Sequence, residues 1–426
     1  MLCSGVFHPQ ILAYFGQFFA IPIVLGEFII GSYFIEFGSH LIPSKRFPAS
    51  YLSGLLSVDI TNWNFHWKIY IVSLQYSMIM DMLEIDSSRG EGGGQMVRTS
   101  VALSAITGRS TKLTRIRENR PTNGLSKQHT TAVRAVAEMT GSTVYGNNIG
   151  SRELIFEPGA ERKSDIVMDI GSAGSITLVL QAALLAARNH KEKVTLDLTG
   201  GTNVMWAPPI DSYDLVLFPL MKKMGINAKV EILDRGFYPS GGGRVIATLD
   251  PIGEIRPIEL TSLGELKDIK VKCFSQRLSE RFSHEMTEAC TNALGDKYEL
   301  DFEFEFQNSR GNSRGAGLML IANYENGKLS SSVLTSKGHS GAQSGIDAAN
   351  DLLQEISAGS TLDVHTADQL LPYMAMAKGK SSFVVSRISK HLLSQMDTLE
   401  SFLNVRFSVE RRADGYHFSV SSEGYP

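Results

Sequence analysis

The sequence predicts an α/β fold that is built from repeated strand–helix units. Three observations lead to this prediction. Short segments with alternating apolar and polar residues take turns with segments of helical periodicity, and the same order of elements recurs along the chain. The last copy is interrupted by a long segment with a pattern of its own. Internal repetition of this kind indicates stacked copies of one supersecondary unit.

The first unit begins with a predicted strand at Leu83–Asp86, followed by a loop with four glycines at positions 90–94. From Gln95 the pattern is helical, and Gly108 is placed as a C-terminal stop. This order is typical of anion sites, because unpaired amides converge at the helix N-terminus. It is also typical of a tight corner without a ligand. It is neither a Rossmann fingerprint, since Gln95 replaces the last glycine, nor a Walker A sequence.

The later elements continue the same order. The first unit goes on with a strand at 112–117, a helix at 125–139 and strands near 143 and at 153–156. The second unit has a strand at 165–169, a small-residue turn at 171–175, a helix at 177–188, a strand at 193–198, a helix at 213–224 and strands near 230 and 245. The third has a strand at 255–260, a helix at 367–377, a strand at 382–385, a helix from 390 and strands near 407 and 418.

The segment that interrupts the third unit has its own strand and helix pattern. Its predicted elements are strands at 269–274 and 298–306, a helix at 278–294, two further strands and a helix at 341–356. We interpret this segment as an inserted α/β domain. The expected division is a main domain at 82–261 and 360–426, with the inserted domain at 262–359.

Composition places further limits on the protein. A length of 426 residues is sufficient for two or three domains with full cores. The formal net charge of -3 gives no overall attraction to nucleic acid or membranes, so that any anion site must be local. Cys3, Cys273 and Cys290 have no metal-type spacing and are too few for a disulfide framework. We therefore expect a reducing, cytoplasmic setting.

The first 81 residues differ from the remainder of the chain. Residues 11–36 are strongly apolar and long enough to span a bilayer, and no Lys or Arg precedes them, which disfavours a signal peptide. If they do span a membrane, Lys45 and Arg46 favour a cytoplasmic location for the rest of the chain. We expect translated upstream sequence that is not part of the working protein. A membrane anchor and an additional packed element are the alternatives.

Several short motifs together resemble the RNA 3'-terminal phosphate cyclase family. They are spread in order over nearly all of the chain after residue 82, and their joint spacing is specific although no single motif is decisive. The matching stretches are 89–98, 127–130, 171–181, 200–203, 207–208, 235–243, 367–370 and 390–393.

The resemblance implies a fold of three βαβαββ repeats with a small α/β domain inserted in the third. It also implies that ATP is used to convert an RNA 3'-phosphate into a 2',3'-cyclic phosphate. In this family a histidine attacks the α-phosphate of ATP, the AMP passes to the RNA 3'-phosphate, and the neighbouring 2'-hydroxyl displaces it. A neutral imidazole is a competent nucleophile for this reaction. The transfer also requires compensation of the negative charge on the phosphates, which a divalent metal and arginine side chains provide.

By motif position the resemblance assigns a role to each candidate residue. His391 is the nucleophile, and Glu91 is the ligand of a divalent metal, Mg²⁺ or Mn²⁺. The RNA terminal phosphate contacts Arg98, Arg120 and Gln128. The nucleotide contacts Gln181, Pro208, His365, Asp368 and Gln369. His365 is the competing histidine, and its position in the family lines the nucleotide pocket.

Each of these residues also has an ordinary structural interpretation. His391 is placed as a helix cap, Glu91 as an exposed loop carboxylate, and the arginines as solvated side chains on helices or turns. Two other functional classes are therefore alternatives to the enzyme. One is a non-catalytic relative that serves ribosome assembly, and the other is a plain RNA-binding module, which fold analogy alone does not exclude. Covalent labelling by ATP separates both from the enzyme.

Overall fold

The computed structural model describes residues 82–90, 92–307, 313–335 and 338–425. Glu91 and the first 81 residues lie outside this range, so the metal-ligand assignment and the interpretation of the apolar segment stay predictions. Among the described residues, no helix is both long and apolar enough to cross a membrane. The cytoplasmic location stays a prediction as well.

Three four-stranded sheets share one strand order. In each sheet the first two strands are parallel, and the fourth strand lies between the second and the third, antiparallel to both. The first unit consists of β1 (Leu83–Asp86), α1 (Gly94–Thr107), β2 (Thr111–Thr114), α2 (Lys127–Thr140), β3 (Thr143–Tyr145) and β4 (Leu154–Glu157). Both helices end at a left-handed glycine, Gly108 with φ 71° and Gly141 with φ 59°.

The second and third units repeat this order. The second consists of β5 (Asp165–Asp169), α3 (Ile176–Ala186), β6 (Val194–Gly200), a helix α4 in three consecutive segments (Ile210–Ser212, Tyr213–Leu217 and Phe218–Lys223), β7 (Ala228–Asp234) and β8 (Gly243–Leu249). The third begins with β9 (Glu259–Leu260) and, after an insertion, continues with α7 (Val364–Met376), β14 (Lys378–Val385), α8 (Lys390–Phe402), β15 (Val405–Arg412) and β16 (Gly415–Glu423).

The insertion forms a fourth sheet with its own apolar core. Its elements are β10 (Leu266–Gln276), α5 (Glu280–Leu294), β11 (Leu300–Gln307), β12 (Gly315–Tyr324), β13 (Lys328–Leu334) and α6 (Gly341–Ser357). The helices α5 and α6 pack against each other and against this sheet. The predicted fold class, three βαβαββ repeats with a small α/β unit inserted in the third, is confirmed. The predicted domain boundaries stay predictions.

Three predicted elements differ in detail from the structure. The predicted strand at 112–117 ends at Thr114, because Arg115 and Arg117 adopt positive φ angles of 49° and 53°, which a strand does not accept. The predicted helix at 213–224 starts earlier and contains a π-helical turn at Tyr213–Leu217. The first strand of the third unit is only Glu259–Leu260, shorter than the predicted 255–260.

Helix α1 lies at the centre of the main core. It contacts α2, α3 and α8, and every residue from Gln95 to Ile106 is buried. A helix that is enclosed in this way must pair its polar side chains with neighbours. Arg98 Nε donates to Gln181 Oε1 on α3 at 2.9 Å, and Thr99 Oγ1 donates to Gln395 Oε1 on α8 at 2.9 Å. The polar residues of α1 thus connect all three repeats.

A buried ion cluster joins the inserted unit to the second repeat. The Arg235 side chain is fully buried, and its guanidinium makes two 2.8 Å hydrogen bonds to the carboxylate of Asp211. It also donates to Glu305 of β11 at 2.9 and 2.6 Å and to Asn203 Oδ1 at 3.1 Å. Its centre lies 4.3 Å from the centroid of the Phe274 ring. Burial is the largest effect and raises the pKa of Asp211. The charges of Arg235 and Lys272 and the hydrogen bonds from Arg235 and Asn203 together outweigh it and hold that pKa at about 2.

Replacing Asp211 with Asn is expected to destabilise the protein strongly. The substitution leaves the buried Arg235 charge without its main counter-ion, which costs on the order of 3–5 kcal/mol. The matched control is Asp197→Asn, which breaks an Arg–Asp pair whose arginine, Arg244, is half exposed. The control should cost less than about 1 kcal/mol. Urea unfolding measures both values, and equal losses in the two variants would contradict the importance of the buried cluster.

Candidate active site

The glycine loop before α1 is held between two helices. A Cβ atom at Gly90 would collide with Ser394 Oγ on α8, and one at Gly94 would collide with the imidazole of His129 on α2. Gly90 and Gly92 also have positive φ angles of 60°. Glycine is therefore required at these positions by close packing. The loop brings the N-termini of α1, α2 and α8 towards one another.

His391 lies in the first turn of α8, where Ser389 is the N-cap. The Ser389 Oγ accepts a hydrogen bond from the backbone N–H of Leu392 at 2.8 Å and donates to Asp368 Oδ1 on α7 at 2.9 Å. The cap therefore fixes both the start of α8 and its position against α7. The remaining amides of this first turn favour an anion beside His391.

Gln95 orients the imidazole of His391. The Nδ1 of His391 lies 2.7 Å from Gln95 Oε1. An amide oxygen can only accept a hydrogen bond, so Nδ1 carries the hydrogen. In the neutral ring Nε2 then bears the lone pair, which is the form needed for attack on an electrophile.

The surroundings of His391 keep its ring neutral. Burial lowers the pKa of His391, and the positive charges of Arg98 and Arg120 together with the nearby His365 lower it further, to about 4. At neutral pH the neutral form of the imidazole is therefore almost fully populated.

A cleft of about 540 Å³ opens beside His391. Its lining residues are Gly90, Asn119, Arg120, Lys390 and His391. The cleft thus combines the glycine loop, two cationic side chains and the start of α8. This combination suits a phosphate-bearing ligand.

Arg98 is a buried cation next to the imidazole. It is 6% exposed, and burial lowers its pKa to about 10, so it remains charged at neutral pH. Its bond to Gln181 holds the guanidinium plane in one orientation. Arg98 also acts on His129, since burial and the charges of Arg98 and Arg117 lower the His129 pKa to about 3. His129 is therefore neutral, and it caps α2 through its bond from the Ser126 N–H at 3.1 Å.

The nucleotide-contacting candidates of α7 lie close to the start of α8. Asp368 is bonded to the N-cap Ser389, and Gln369 Nε2 donates to the carbonyl of His365 at 3.3 Å. Burial raises the pKa of Asp368 to about 7 despite the hydrogen bond from Ser389. The carboxyl group of Asp368, on this wall of the site, is therefore about half protonated at neutral pH.

Gln128, at the start of α2 in the first repeat, and Pro208 of the second repeat both contact the N-terminal end of α3. Gln128 Oε1 accepts a hydrogen bond from the Ser175 N–H at 3.2 Å, and the carbonyl of Pro208 accepts one from Thr177 Oγ1 at 2.8 Å. The structure thus places Arg120 in the same cleft as His391, and the charges of Arg98 and His365 act on the His391 imidazole. Gln128 contacts Ser175, the N-cap of α3, and Pro208 contacts Thr177 in the first turn of α3.

Two residues of the site were missed at the sequence level. Gln95 was considered only as a mismatch to a nucleotide-binding motif, and Ser389 was not considered. A usable signal was present, because Gln95, Arg98 and Thr99 form a polar i, i+3, i+4 stripe within a helix whose other residues are apolar or small hydroxyl residues. Such a stripe on a buried helix indicates polar partners or a ligand.

The metal assignment receives no support among the described residues. No three His, Cys, Asp or Glu side chains within them lie close enough together to hold a metal ion. Glu91, the predicted ligand, is not among the described residues. It is flanked in the sequence by Gly90, which lines the cleft.

Fold and site together define a repeat-built α/β protein with a neutral histidine at a helix start, beside a cleft that Arg120 and Lys390 line. The family model described as RNA 3'-terminal phosphate cyclase matches residues 89–409. Proteins named RNA 3'-terminal phosphate cyclase are similar over most of their length. The one from Nitrosospira multiformis is 41% identical over 333 residues (78% of this chain, 94% of the relative). The one from Methanopyrus kandleri is 39% identical over 339 residues (78% and 96%).

The chain therefore belongs to the RNA 3'-terminal phosphate cyclase family. A third relative of that name, from Methanosarcina barkeri, is 38% identical over 340 residues, 80% of this chain and all of the relative. Among solved structures, the enolpyruvyl transferase NikO from Streptomyces tendae aligns with a TM-score of 0.33 and 8% identity. That alignment covers 80% of this chain and 48% of the other.

The raised pKa of Asp368 predicts a pH-dependent difference in stability. Its folded-state pKa of about 7 lies above the ordinary 3.8, so the folded protein holds a proton that the unfolded chain releases between these pH values. The contribution of this residue to stability therefore falls as pH rises from about 4 to about 7. The Asp368→Asn variant lacks this pH dependence. The unfolding free energy of the variant minus that of the wild type should therefore rise from about pH 4 to about pH 7 and be constant above it.

The limiting slope of that difference is about 1.4 kcal/mol per pH unit. Urea unfolding at a series of pH values measures it. The amide oxygen of Asn still accepts the Ser389 bond, which keeps the cap in place. A difference that stays constant across the interval would show that Asp368 titrates normally.

Proposed function

We propose that this protein uses ATP to convert the 3'-phosphate end of an RNA into a 2',3'-cyclic phosphodiester, with His391 as a covalent AMP carrier. The observation that carries the proposal is the environment of His391. Its ring is neutral at physiological pH, and its Nδ1 is held by Gln95, which makes Nε2 the nitrogen that bears the lone pair. Membership of the cyclase family supports the overall reaction.

The proposed reaction has three displacements at phosphorus. The lone pair of His391 Nε2 attacks the α-phosphorus of ATP, the bond to the bridging oxygen breaks, and diphosphate leaves with the electron pair. An oxygen of the RNA 3'-phosphate then attacks the same phosphorus, and the imidazole leaves as the neutral ring. Finally the 2'-hydroxyl loses its proton and attacks the 3'-phosphorus, so that AMP leaves and the ring closes.

The arrangement of cations suits both phosphates. Arg98 is charged, buried and held by Gln181, so its orientation is set before any ligand arrives. Such preorganised charges stabilise a phosphoryl transition state more than mobile ones. We assign Arg98 and Arg120, with Gln128, to the RNA terminal phosphate. Arg98 is buried, and its low-dielectric setting strengthens charge-assisted hydrogen bonds, whereas Arg120 lines the open cleft.

The nucleotide is assigned to the wall formed by α7 and the second repeat. His365, Asp368 and Gln369 lie on α7, whose first residues face the start of α8 through the Ser389 bond. Gln181 and Pro208 complete this assignment from the second repeat. A divalent metal held by Glu91 would neutralise phosphate charge during the transfer. Glycine-loop amides and arginines fit a triphosphate in the same cleft.

The competing function is a non-catalytic relative in ribosome assembly or a plain RNA-binding module. Nothing in such a protein requires a lone pair on His391 or a buried arginine beside it. A neutral, oriented imidazole therefore favours the enzyme. Labelling with ATP separates the alternatives.

ATP that is labelled at the α-phosphate should transfer its label to the wild-type protein and release diphosphate when a divalent metal is present. The His391→Ala variant should not be labelled, because it lacks the attacking nitrogen. The matched control is His365→Ala, which should slow labelling without abolishing it, since this residue shapes the nucleotide pocket. Gel autoradiography measures the rates. A phosphoramidate linkage is also expected to be labile in acid and stable in base.

Two outcomes would contradict this assignment. If His391→Ala is labelled normally and His365→Ala is not, His365 is the nucleophile. If the wild type is never labelled, the non-catalytic alternative replaces the enzyme.

Replacing Arg98 or Arg120 with Ala should strongly weaken cyclisation of RNA with a 3'-phosphate. Each substitution removes a charge-assisted bond worth about 1.5–3 kcal/mol. The loss should appear in the rate of formation of the cyclic end, measured on labelled RNA. RNA with a 3'-hydroxyl end serves as the control substrate and should not react. Equal turnover of both kinds of RNA end would contradict the assignment of this phosphate site.

A further inference from the structure

Trp206 is an exposed aromatic residue in a strained backbone conformation. Its φ is 67°, in the left-handed region that large side chains rarely adopt, and 94% of the residue is accessible to solvent. The side chain therefore buries almost no apolar surface that could offset the strain. Because neither backbone preference nor packing accounts for this arrangement, it points to a ligand.

A second exposed aromatic residue lies on a neighbouring loop. Tyr238 is 76% accessible. The loops that carry Trp206 and Tyr238 are joined at their bases, where the N–H groups of Thr202 and Asn203 donate to the carbonyl of Gly236 at 2.9 and 3.2 Å. We call Trp206 and Tyr238 the aromatic platform. The hydrogen bonds fix the two loops relative to each other while the rings remain exposed.

The platform loops rest on the turn at 171–175. A Cβ at Gly201 would collide with the carbonyl of Ala173, and one at Gly241 would collide with the carbonyl of Ser172. The same turn also contacts α2, where Lys127 Nζ donates to the carbonyl of Gly171 at 3.3 Å. The turn at 171–175 therefore contacts both the platform loops and an exposed lysine at the N-terminus of α2.

That lysine adjoins a residue of the proposed phosphate site. Gln128, assigned to the RNA terminal phosphate, follows Lys127 in the sequence and accepts the Ser175 N–H. The nucleotides that precede a 3' end bound at Gln128 are covalently linked to it, so they start from the neighbourhood of the turn at 171–175. This turn also contacts the loops that carry the exposed aromatic residues and the exposed Lys127.

We propose that the aromatic platform stacks on nucleobases of the single-stranded RNA next to its 3' end. The inference rests on the proposed function, because it assumes that the RNA terminus lies at Gln128. Proteins hold single-stranded nucleic acid by stacking bases on exposed aromatic rings and by placing cations along the phosphates. Trp206 and Tyr238 supply the rings and Lys127 supplies a cation. Stacking is tolerant of base identity, so the platform gives length dependence without a sequence requirement.

The adenine of ATP is the other nucleobase that the platform could bind. Pro208, assigned to the nucleotide, lies two residues after Trp206. The strained backbone and the exposed side chain of Trp206 are compatible with stacking on the adenine of ATP or on a base of the RNA. Its connection through the 171–175 turn to Lys127 and Gln128 favours the RNA. The experiment therefore needs one arm for each ligand.

Tryptophan fluorescence of the full chain tests the proposal directly. Trp63, Trp67 and Trp206 are the three tryptophans of the sequence, so the Trp63→Phe, Trp67→Phe double variant reports on Trp206 alone. A short single-stranded RNA with a 3'-phosphate should quench this emission, and the same RNA without bases at the nucleotides next to its end should not. ATP alone should leave it unchanged. Quenching by ATP but not by RNA, or by neither ligand, would overturn the proposal.

Substitutions provide the second arm. Trp206→Ala and Tyr238→Ala should each weaken binding of the intact RNA by roughly 5- to 100-fold, the range expected for one lost stack, and Trp206→Phe should restore most of it. Tyr145→Ala, which removes an exposed aromatic residue from β3, is the matched control and should bind normally. Loss of labelling by ATP in Trp206→Ala would assign the platform to adenine instead.

These binding measurements do not depend on turnover. If the wild type binds RNA through Trp206 but never forms a cyclic end, the proposed function fails while the platform stands. If the wild type cyclises RNA and the platform variants bind it normally, only the platform fails.

Discussion

The hydrogen bond between Gln95 and His391 is the contact on which the proposed site depends. It joins two residues that are 296 positions apart, one on the first helix of the first repeat and the other at the start of the last helix of the third. The bond from Thr99 to Gln395 joins the same two helices, and Gly90 of the loop before α1 packs against Ser394 of α8. Since buried polar groups require partners, the polar stripe of α1 and the start of α8 stabilise each other. The reactive form of the imidazole is a consequence of how the repeats pack.

The repeat architecture explains why the site lies where it does. Each repeat contributes a helix to the core around α1, and the residues assigned to the site come from all three, Arg98 from the first, Gln181 from the second and His391 from the third. Helix N-termini converge at the glycine loop, which brings partial positive charge to the cleft in addition to that of the arginines. Burial lowers the pKa of both His391 and Arg98. His391 becomes neutral at physiological pH while Arg98 stays charged, because an imidazole gives up its proton far more readily than a guanidinium.

Much of the fold could be predicted from the sequence, because hydrophobic periodicity and glycine positions are local signals. The ends of α1 and α2 were readable because Gly108 and Gly141 adopt the left-handed conformation that terminates a helix. The end of β2 was not readable, because the positive φ of Arg115 carries no sequence signal. Family spacing pointed to His391. The role of Gln95 was missed, because its partner is distant in the chain and becomes visible only when the repeats are packed together.

The protonation state of His391 tests the central claim most directly. A ¹⁵N–¹H spectrum of the full chain with labelled histidine, assigned by the signals that disappear in His391→Ala, reports both the tautomer and the pKa of this ring. The account predicts a neutral ring that is protonated at Nδ1 and titrates at about 4. In Gln95→Leu the preference for this tautomer should be lost. A ring that is protonated at Nε2, or one that titrates near its ordinary value of 6.5, would contradict the claim that packing against α1 prepares His391 for attack.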